Sequence, residues 1–238
     1  MVNNKVIAII PARWASTRLP GKPLEDINGK PMIQWVYEAV EKSIVDKVVV
    51  ATDNVAIRAA VKLFGGESIL TDIKHQTGTE RVLEAYQHYK DEYDFVINVQ
   101  GDEPIINDKD INDLIYTLKG SPHTIATLVG QLTEKQMGDR NTVKAILDDR
   151  KIVMFTRSPL FGSSIFIKRH IGIYGFSKQM TERIDKNIMI ETSNEIVENL
   201  EQIRWGDNGI DFSYARAAGL YKGIDTQEDL DYVRTFLN

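Results

Sequence analysis

Four short, β-rich apolar runs, spaced by stretches of helical period, limit this chain to very few folds. The runs are Val6 to Ile10 (closed by Pro11), Val48 to Thr52, Ser68 to Thr71 and Phe95 to Val99. Such runs, bounded by Pro, Gly or polar residues, read as buried strands. Between them, Ile33, Val36, Tyr37 and Val40 follow Pro31 at i, i+3, i+4 and i+7. Ile57, Ala60, Val61 and Phe64 repeat that spacing, and Gly65-Gly66 ends the helix. Val82, Tyr86 and Tyr89 mark a third helix, and Asn28-Gly29 marks a turn. The order βαβαβαβ predicts an α/β protein with a mostly parallel, doubly wound sheet and right-handed crossovers.

The second half is less regular. Residues 124–129, 143–147 and 171–176 read as strands. Residues 194–204 read as one helix, with Ile196, Val197, Leu200 and Ile203 facing inward. Thr226-Gln227-Glu228-Asp229 resembles a capping box opening a C-terminal helix. Pro and Gly are too scattered to mark a linker. The expectation is one domain over 1–238, with a strand-rich lobe around residues 130–190.

Composition narrows the function. With 238 residues, 42% of them apolar, the chain can bury a substantial core. The net charge of −5 does not suit a nucleic-acid or membrane surface, so an anionic ligand needs a local cluster of cations. The absence of cysteine excludes disulfides, thiolate catalysis and Cys-ligated zinc. No window approaches the ~20 apolar residues of a membrane span, and the first apolar run is too short for a signal peptide. A cytoplasmic protein is expected.

The loop after the first strand reads Ala12-Arg13-Trp14-Ala15-Ser16-Thr17-Arg18-Leu19-Pro20-Gly21-Lys22-Pro23-Leu24. Ligands of open α/β sheets sit beyond the carboxyl ends of the strands. Three cations there, Arg13, Arg18 and Lys22, suit a polyphosphate; otherwise they are a solvated basic loop. The loop is no Walker A sequence, and no Gly-x-Gly-x-x-Gly occurs anywhere, which disfavours P-loop kinases and nicotinamide or flavin enzymes. Gln100-Gly101-Asp102-Glu103-Pro104 follows the fourth strand directly. Asp102 there is a plain turn residue or a magnesium carboxylate, since magnesium binds through one or two carboxylates plus phosphates. Asp225 caps the last helix or joins Asp102 at the metal. His75-Gln76-Thr77-Gly78-Thr79-Glu80-Arg81 leads into a helix whose start offers N–H groups to a base or phosphate, besides ordinary capping by Thr77 or Thr79. His170 and Tyr174, four apart on a strand, share a face.

Together these segments resemble the 3-deoxy-manno-octulosonate (Kdo) cytidylyltransferases. The matching stretches are residues 10–24, Val50-Ala51-Thr52-Asp53, 75–81, Asn98 to Pro104, His170 to Gly175, Leu200 to Arg204 and Gly223 to Thr226, in family order. The resemblance implies a Rossmann-like nucleotidyltransferase fold, Mg2+ dependence and a homodimer built through the second lobe. It implies transfer of CMP from CTP to the anomeric hydroxyl of a sugar acid, with release of pyrophosphate, for bacterial surface polysaccharide synthesis. Arg13, Arg18 and Lys22 match the triphosphate residues, and Asp102 and Asp225 the magnesium carboxylates. Thr77, Thr79 and the backbone near Ala51 match the cytosine and ribose region, with Arg81 in the nucleotide-binding set. Gln100, Arg157, His170, Tyr174, Glu201 and Gln202 match the sugar-acid pocket. The loop after Phe155-Thr156-Arg157-Ser158-Pro159 is shorter than usual in the family. That leaves open a related acceptor, such as an 8-amino-octulosonate, a nonulosonate or a phosphonate, beside Kdo itself. A catalytically silent nucleotide-binding relative would be expected to lack one of the cations or carboxylates.

Overall fold

The computed structural model describes residues 4–15, 19–160, 162, 165–187, 191–219 and 221–237. The chain forms two compact units, one of residues 1–112 and 219–238, the other of residues 113–218. The strand-rich lobe expected at 130–190 lies within the second unit.

In the first unit, β1 (Val6–Ala12) is buried at all seven positions. It is central: β4 (Lys47–Thr52) runs parallel on one side and β6 (Phe95–Asn98) on the other. A strand covered on both faces needs an unbroken apolar run rather than alternation, which is what Val6 to Ile10 supplies. β5 (Ser68–Leu70) continues the parallel order outside β4. The order β5-β4-β1-β6 reverses direction at β1, so the carboxyl ends of β1 and β6 form the switch point where ligands bind in open α/β sheets.

The connections follow from local sequence. β2 (Asp26–Ile27) and β3 (Lys30–Pro31) form a hairpin through Asn28 (φ 51°) and Gly29 (φ 91°), the left-handed pair a two-residue turn requires. α1 (Met32–Glu41) buries Ile33, Val36, Tyr37 and Val40. α2 (Val55–Leu63) is capped by the Asn54 side chain. α3 (Gly78–Tyr86) opens on a capping box between Thr77 and Glu80. α4 (Asp108–Gly120), not foreseen, carries the chain across the unit boundary and buries Ile111, Leu114, Ile115 and Leu118.

The second unit contains β7 (Ile125–Gly130), α5 (Glu134–Gly138), β8 (Lys144–Leu147), β9 (Ile152–Thr156) and β10 (Ile167–Ser177). α6 (Lys178–Asn187), α7 (Ser193–Glu198), α8 (Glu201–Asp207) and β11 (Phe212–Arg216) complete it. The strand order is β10-β7-β11-β9-β8, and β8 pairs again with β10, which closes the circuit. Only β7 and β11 run parallel in it. An aromatic cluster of Phe155, Tyr174, Phe176, Trp205 and Phe212 fills its core.

The single helix expected at 194–204 is two helices. Asn199 adopts the left-handed conformation (φ 52°) and ends α7, and Leu200 starts the next turn. The break puts Leu200 inside but leaves Ile196 64% and Val197 78% exposed, so neither faces inward.

The chain then returns to the first unit. α9 (Gln227–Arg234) opens on the capping box of Thr226 and Asp229. Its Leu230 and Val233 pack with Ile224, Ile27 and Met32 in one buried cluster. Arg234 donates to the Asp26 carbonyl and Asn28 to the Arg234 carbonyl, across more than 200 residues of sequence.

Candidate active site

A cavity of about 230 Å³ opens at the switch point of the first unit. Arg13, Lys22, Thr77, Gln100, Asp102 and Asp225 line it together. Each reaches it by a different route. Arg13 follows the last residue of β1 and is exposed. Lys22 begins a 3-10 turn after Gly21, whose φ of 71° suits glycine. The Trp14 indole covers Gly21, and Gly21 N–H donates to the Trp14 carbonyl, so the cationic loop is pinned at both ends. Arg18 lies outside the described residues.

Asp102 is placed by the two central strands. A Cβ on Gly101 would lie 2.7 Å from the Pro11 carbonyl oxygen, so only glycine lets the end of β6 run this close to the end of β1. Asp225 arrives from the far end of the chain, held by three contacts. Ile224 N–H donates to the Asp102 carbonyl at 3.0 Å, while the Asp225 and Thr226 N–H groups both donate to Asp229. Burial opposes ionisation of Asp229, but Lys222 and these donors outweigh it and hold its carboxyl down at about 2.

The two carboxylates converge. Lys22 Nζ lies 2.6 Å from Asp102 Oδ2, 3.5 Å from Asp225 Oδ1 and 2.7 Å from the Ile224 carbonyl oxygen. Three oxygens, two of them anionic, thus surround one positive centre, and all are hard donors of the kind magnesium takes. No group of three or more His, Cys, Asp or Glu that would hold a metal occurs among the described residues. A divalent ion here would therefore rely on two carboxylates plus ligand oxygens, the usual arrangement for magnesium beside phosphates.

The nucleotide-side residues divide. Thr77 lines the cavity as the cap of α3, its hydroxyl accepting from Glu80 N–H, with the positive end of the helix behind it. Thr79 is 3% exposed, and its hydroxyl accepts from Asn98 Nδ2 inside the unit. Ala51 is fully buried within β4. Arg81 lines the cavity, but its guanidinium is engaged by Asp53 at 2.9 Å, Thr71 at 2.5 Å and the Asp72 carbonyl. The other Asp53 oxygen accepts from Trp14 N–H at 3.1 Å. Arg81 and Asp53 thereby tie α3, the end of β4 and the cationic loop into one frame. Asp53 was visible only as the last residue of the Val50-Ala51-Thr52-Asp53 stretch, with no role attached.

The remaining residues lie in the second unit. Arg157 gives Nη1 to the Arg140 and Asn141 carbonyls, while its buried Nε has no acceptor among the described residues. Glu198 accepts from Arg157 N–H, Thr156 and Ser158; burial opposes its charge, but these donors hold its pKa below the ordinary value. The His170 and Tyr174 rings lie 5.5 Å apart between centroids, tilted by 40°. β10 bulges against β7 between them, but by two residues, so both stay on one face. Burial, then the charge of Glu201, raises the Tyr174 phenol well above its ordinary value. Gln202 is buried beside Glu201 at the start of α8. The Glu195–Arg204 ion pair, unread in the sequence, joins α7 to α8 in bidentate form at 2.6 Å on both arms.

Burial, and to a lesser degree the charge of Arg157, pushes the His170 pKa down to about 3 from an ordinary 6.5. Below pH 6.5 the unfolded chain takes up a proton that the folded chain refuses. This part of the stability is therefore present above pH 6.5 and lost as pH falls toward 3. Between pH 6 and 4 the unfolding free energy should fall about 1.4 kcal/mol per pH unit more steeply than that of His170→Gln. Parallel profiles in denaturant titrations would show that His170 accepts its proton in the folded state.

Comparison with known proteins settles the family. The model of the family described as cytidylyltransferase matches residues 7–216. The 3-deoxy-manno-octulosonate cytidylyltransferase of Parabacteroides distasonis is 40% identical over 98% of both chains. That of Escherichia coli is 36% identical over 98% of this chain and 96% of its own. The chain belongs to the 3-deoxy-manno-octulosonate cytidylyltransferase family. The solved structure of a CMP:2-keto-3-deoxy-manno-octonic acid synthetase complexed with CTP superposes with a TM-score of 0.90, at 36% identity over 97% of both chains. A 4-diphosphocytidyl-2C-methyl-D-erythritol synthase from Anaerococcus prevotii, at 15% identity and a TM-score of 0.67, shares the fold alone. The nucleotidyltransferase fold expected from the motifs is thus the fold of this cytidylyltransferase.

Proposed function

We propose that this cytidylyltransferase transfers CMP from CTP to the anomeric hydroxyl of Kdo, releasing pyrophosphate, with Mg2+ as its metal, for a bacterial surface polysaccharide. The observation that carries the mechanism is the convergence of Lys22, Asp102 and Asp225 in a cavity that Arg13 also lines. The hydroxyl attacks the α-phosphate, and negative charge grows on the phosphoryl oxygens and the leaving pyrophosphate. Catalysis is then mostly positioning and charge stabilisation. Arg13 and Lys22 hold the triphosphate. Asp102 and Asp225 hold the metal, which neutralises phosphate charge and acidifies the attacking hydroxyl when bound. Thr77 and the start of α3 face the nucleotide. Arg157, with a guanidinium N–H that meets no acceptor among the described residues, takes the acceptor carboxylate, and Gln100, Tyr174, Glu201 and Gln202 belong to the acceptor set. His170, neutral and engaged with Thr127, Phe155 and Tyr174, shapes that set from behind.

The enzyme works in the cytoplasm, where nucleoside triphosphates are held. No helix among the described residues is long and apolar enough to cross a membrane. A homodimer through the second unit is supported by its exposed Val153, Met154 and Val197, which line one groove.

Purified protein given CTP, Mg2+ and Kdo should release pyrophosphate, and should sediment as a dimer. Arg13→Ala should raise the KM for CTP about tenfold while moving the KM for Kdo far less, as expected for loss of one charge-assisted phosphate contact. Equal loss toward both substrates would remove Arg13 from the triphosphate. No turnover with Kdo, alongside turnover with another sugar acid, would correct the acceptor.

A further inference from the structure

Lys22 is asked to hold a triphosphate, yet its ammonium is fully engaged elsewhere. It has three N–H donors, and Asp102, Asp225 and the Ile224 carbonyl take all three. The side chain is only 13% exposed. Held this way, Lys22 neutralises part of the carboxylate charge and has no donor left for a phosphate. The oxygens around it are the same set that would hold a divalent ion. Two cations cannot share so small a space, because they repel each other where the carboxylates attract each of them.

We propose that Lys22 and the divalent cation compete for the oxygens of Asp102, Asp225 and Ile224, so that metal entry frees Lys22 for the triphosphate. This rests on the assignment of Asp102 and Asp225 to the metal. The main chain that carries these oxygens stays in place when Lys22 leaves, because its own hydrogen bonds hold it. Ile224 N–H is fixed on the Asp102 carbonyl and Asp225 N–H on Asp229. The lysine, on its four-carbon stem, is the part that moves. A triphosphate that draws Lys22 away opens the position to metal, and by linkage metal tightens triphosphate binding by the same factor. The nucleotide-free protein therefore holds metal weakly.

The test is Mn2+ binding to nucleotide-free protein, read as free Mn2+ by electron paramagnetic resonance, with Mn2+-induced thermal stabilisation as a second readout. Lys22→Met, or Lys22→Gln should that variant fold better, is expected to bind Mn2+ at least about tenfold more tightly than the unsubstituted protein, the worth of one charged hydrogen bond. Lys22→Arg, which keeps a cation, should show no such gain. Adding Asp102→Asn to Lys22→Met should abolish it. An unchanged or weaker Mn2+ affinity in both neutral Lys22 variants would overturn the competition. A gain that survives Asp102→Asn would instead sink the metal assignment beneath it.

Discussion

Asp102→Ala is expected to lower pyrophosphate release at least roughly a thousandfold, with a smaller change in the KM for CTP. Loss of a single preorganised charge-stabilising group at an active site costs on the order of 10²–10³ in turnover, and a group that anchors a catalytic metal belongs at the upper end. Among the described residues, Asp102 is the carboxylate in tightest contact with the shared ammonium. Its neighbour Asp225 stands 3.5 Å from the shared ammonium and is half-exposed, whereas Asp102 stands at 2.6 Å. Asp102→Asn should fail almost as badly, because an amide keeps the size but not the charge. The fold should survive both changes, since Asp102 lies in the turn beyond β6 and is only half-buried. Steady-state pyrophosphate release alongside a thermal melt separates the outcomes. Full turnover by Asp102→Ala would take this carboxylate out of the reaction.

The second large effect is on stability. Glu195→Ala should destabilise the second unit by about 3–5 kcal/mol, the cost of leaving one member of a buried ion pair alone. The two side chains are 9% and 8% exposed and bonded on both arms. A guanidinium is protonated throughout the pH range in which proteins fold, so Arg204 stays charged when its partner is removed. The largely exposed Glu191, 3.9 Å away, and the charge of Glu201 compensate Arg204 only weakly. Glu195 also closes the capping box of Thr192 at the start of α7. Glu195→Gln keeps an N3 residue able to complete that box, so the difference between the two variants in urea unfolding measures the cap separately from the charge. A loss under about 1 kcal/mol for the alanine variant would mean that water already reaches the pair.

The central strands could be read in the sequence because burial on both faces writes itself as an unbroken apolar run. β1, β4 and β6 show this, and the Asn28-Gly29 hairpin was equally plain because only certain residues accept positive φ. The second unit was harder. Its strand pairings are mostly antiparallel, the five-residue β9 and β11 passed unread, and α7 and α8 merged into one periodic stretch. Asn199 broke that stretch by adopting a left-handed conformation that periodicity does not record. In the site, resemblance named Lys22, Asp102 and Asp225, but no spacing could show that residues 80 and 203 positions from Lys22 touch it. Thr79 illustrates the opposite case. It sits three, four and seven positions before Val82, Leu83 and Tyr86, on the face that α3 buries, so its burial was written in the helical period.

The return of the chain to its first unit has a kinetic consequence. The second unit is contiguous, and its farthest strand pairing, β7 with β11, joins residues fewer than 90 positions apart. The first cannot close until residues roughly 200 apart have met at Lys22–Ile224 and Asn28–Arg234, the slow kind of contact in which a long loop must be closed before anything is gained. The last junction to form is thus also the one that brings Asp225 to Asp102. A substitution deep in the inserted unit, remote from every reacting atom, can therefore delay the appearance of activity without altering the rate of the finished enzyme.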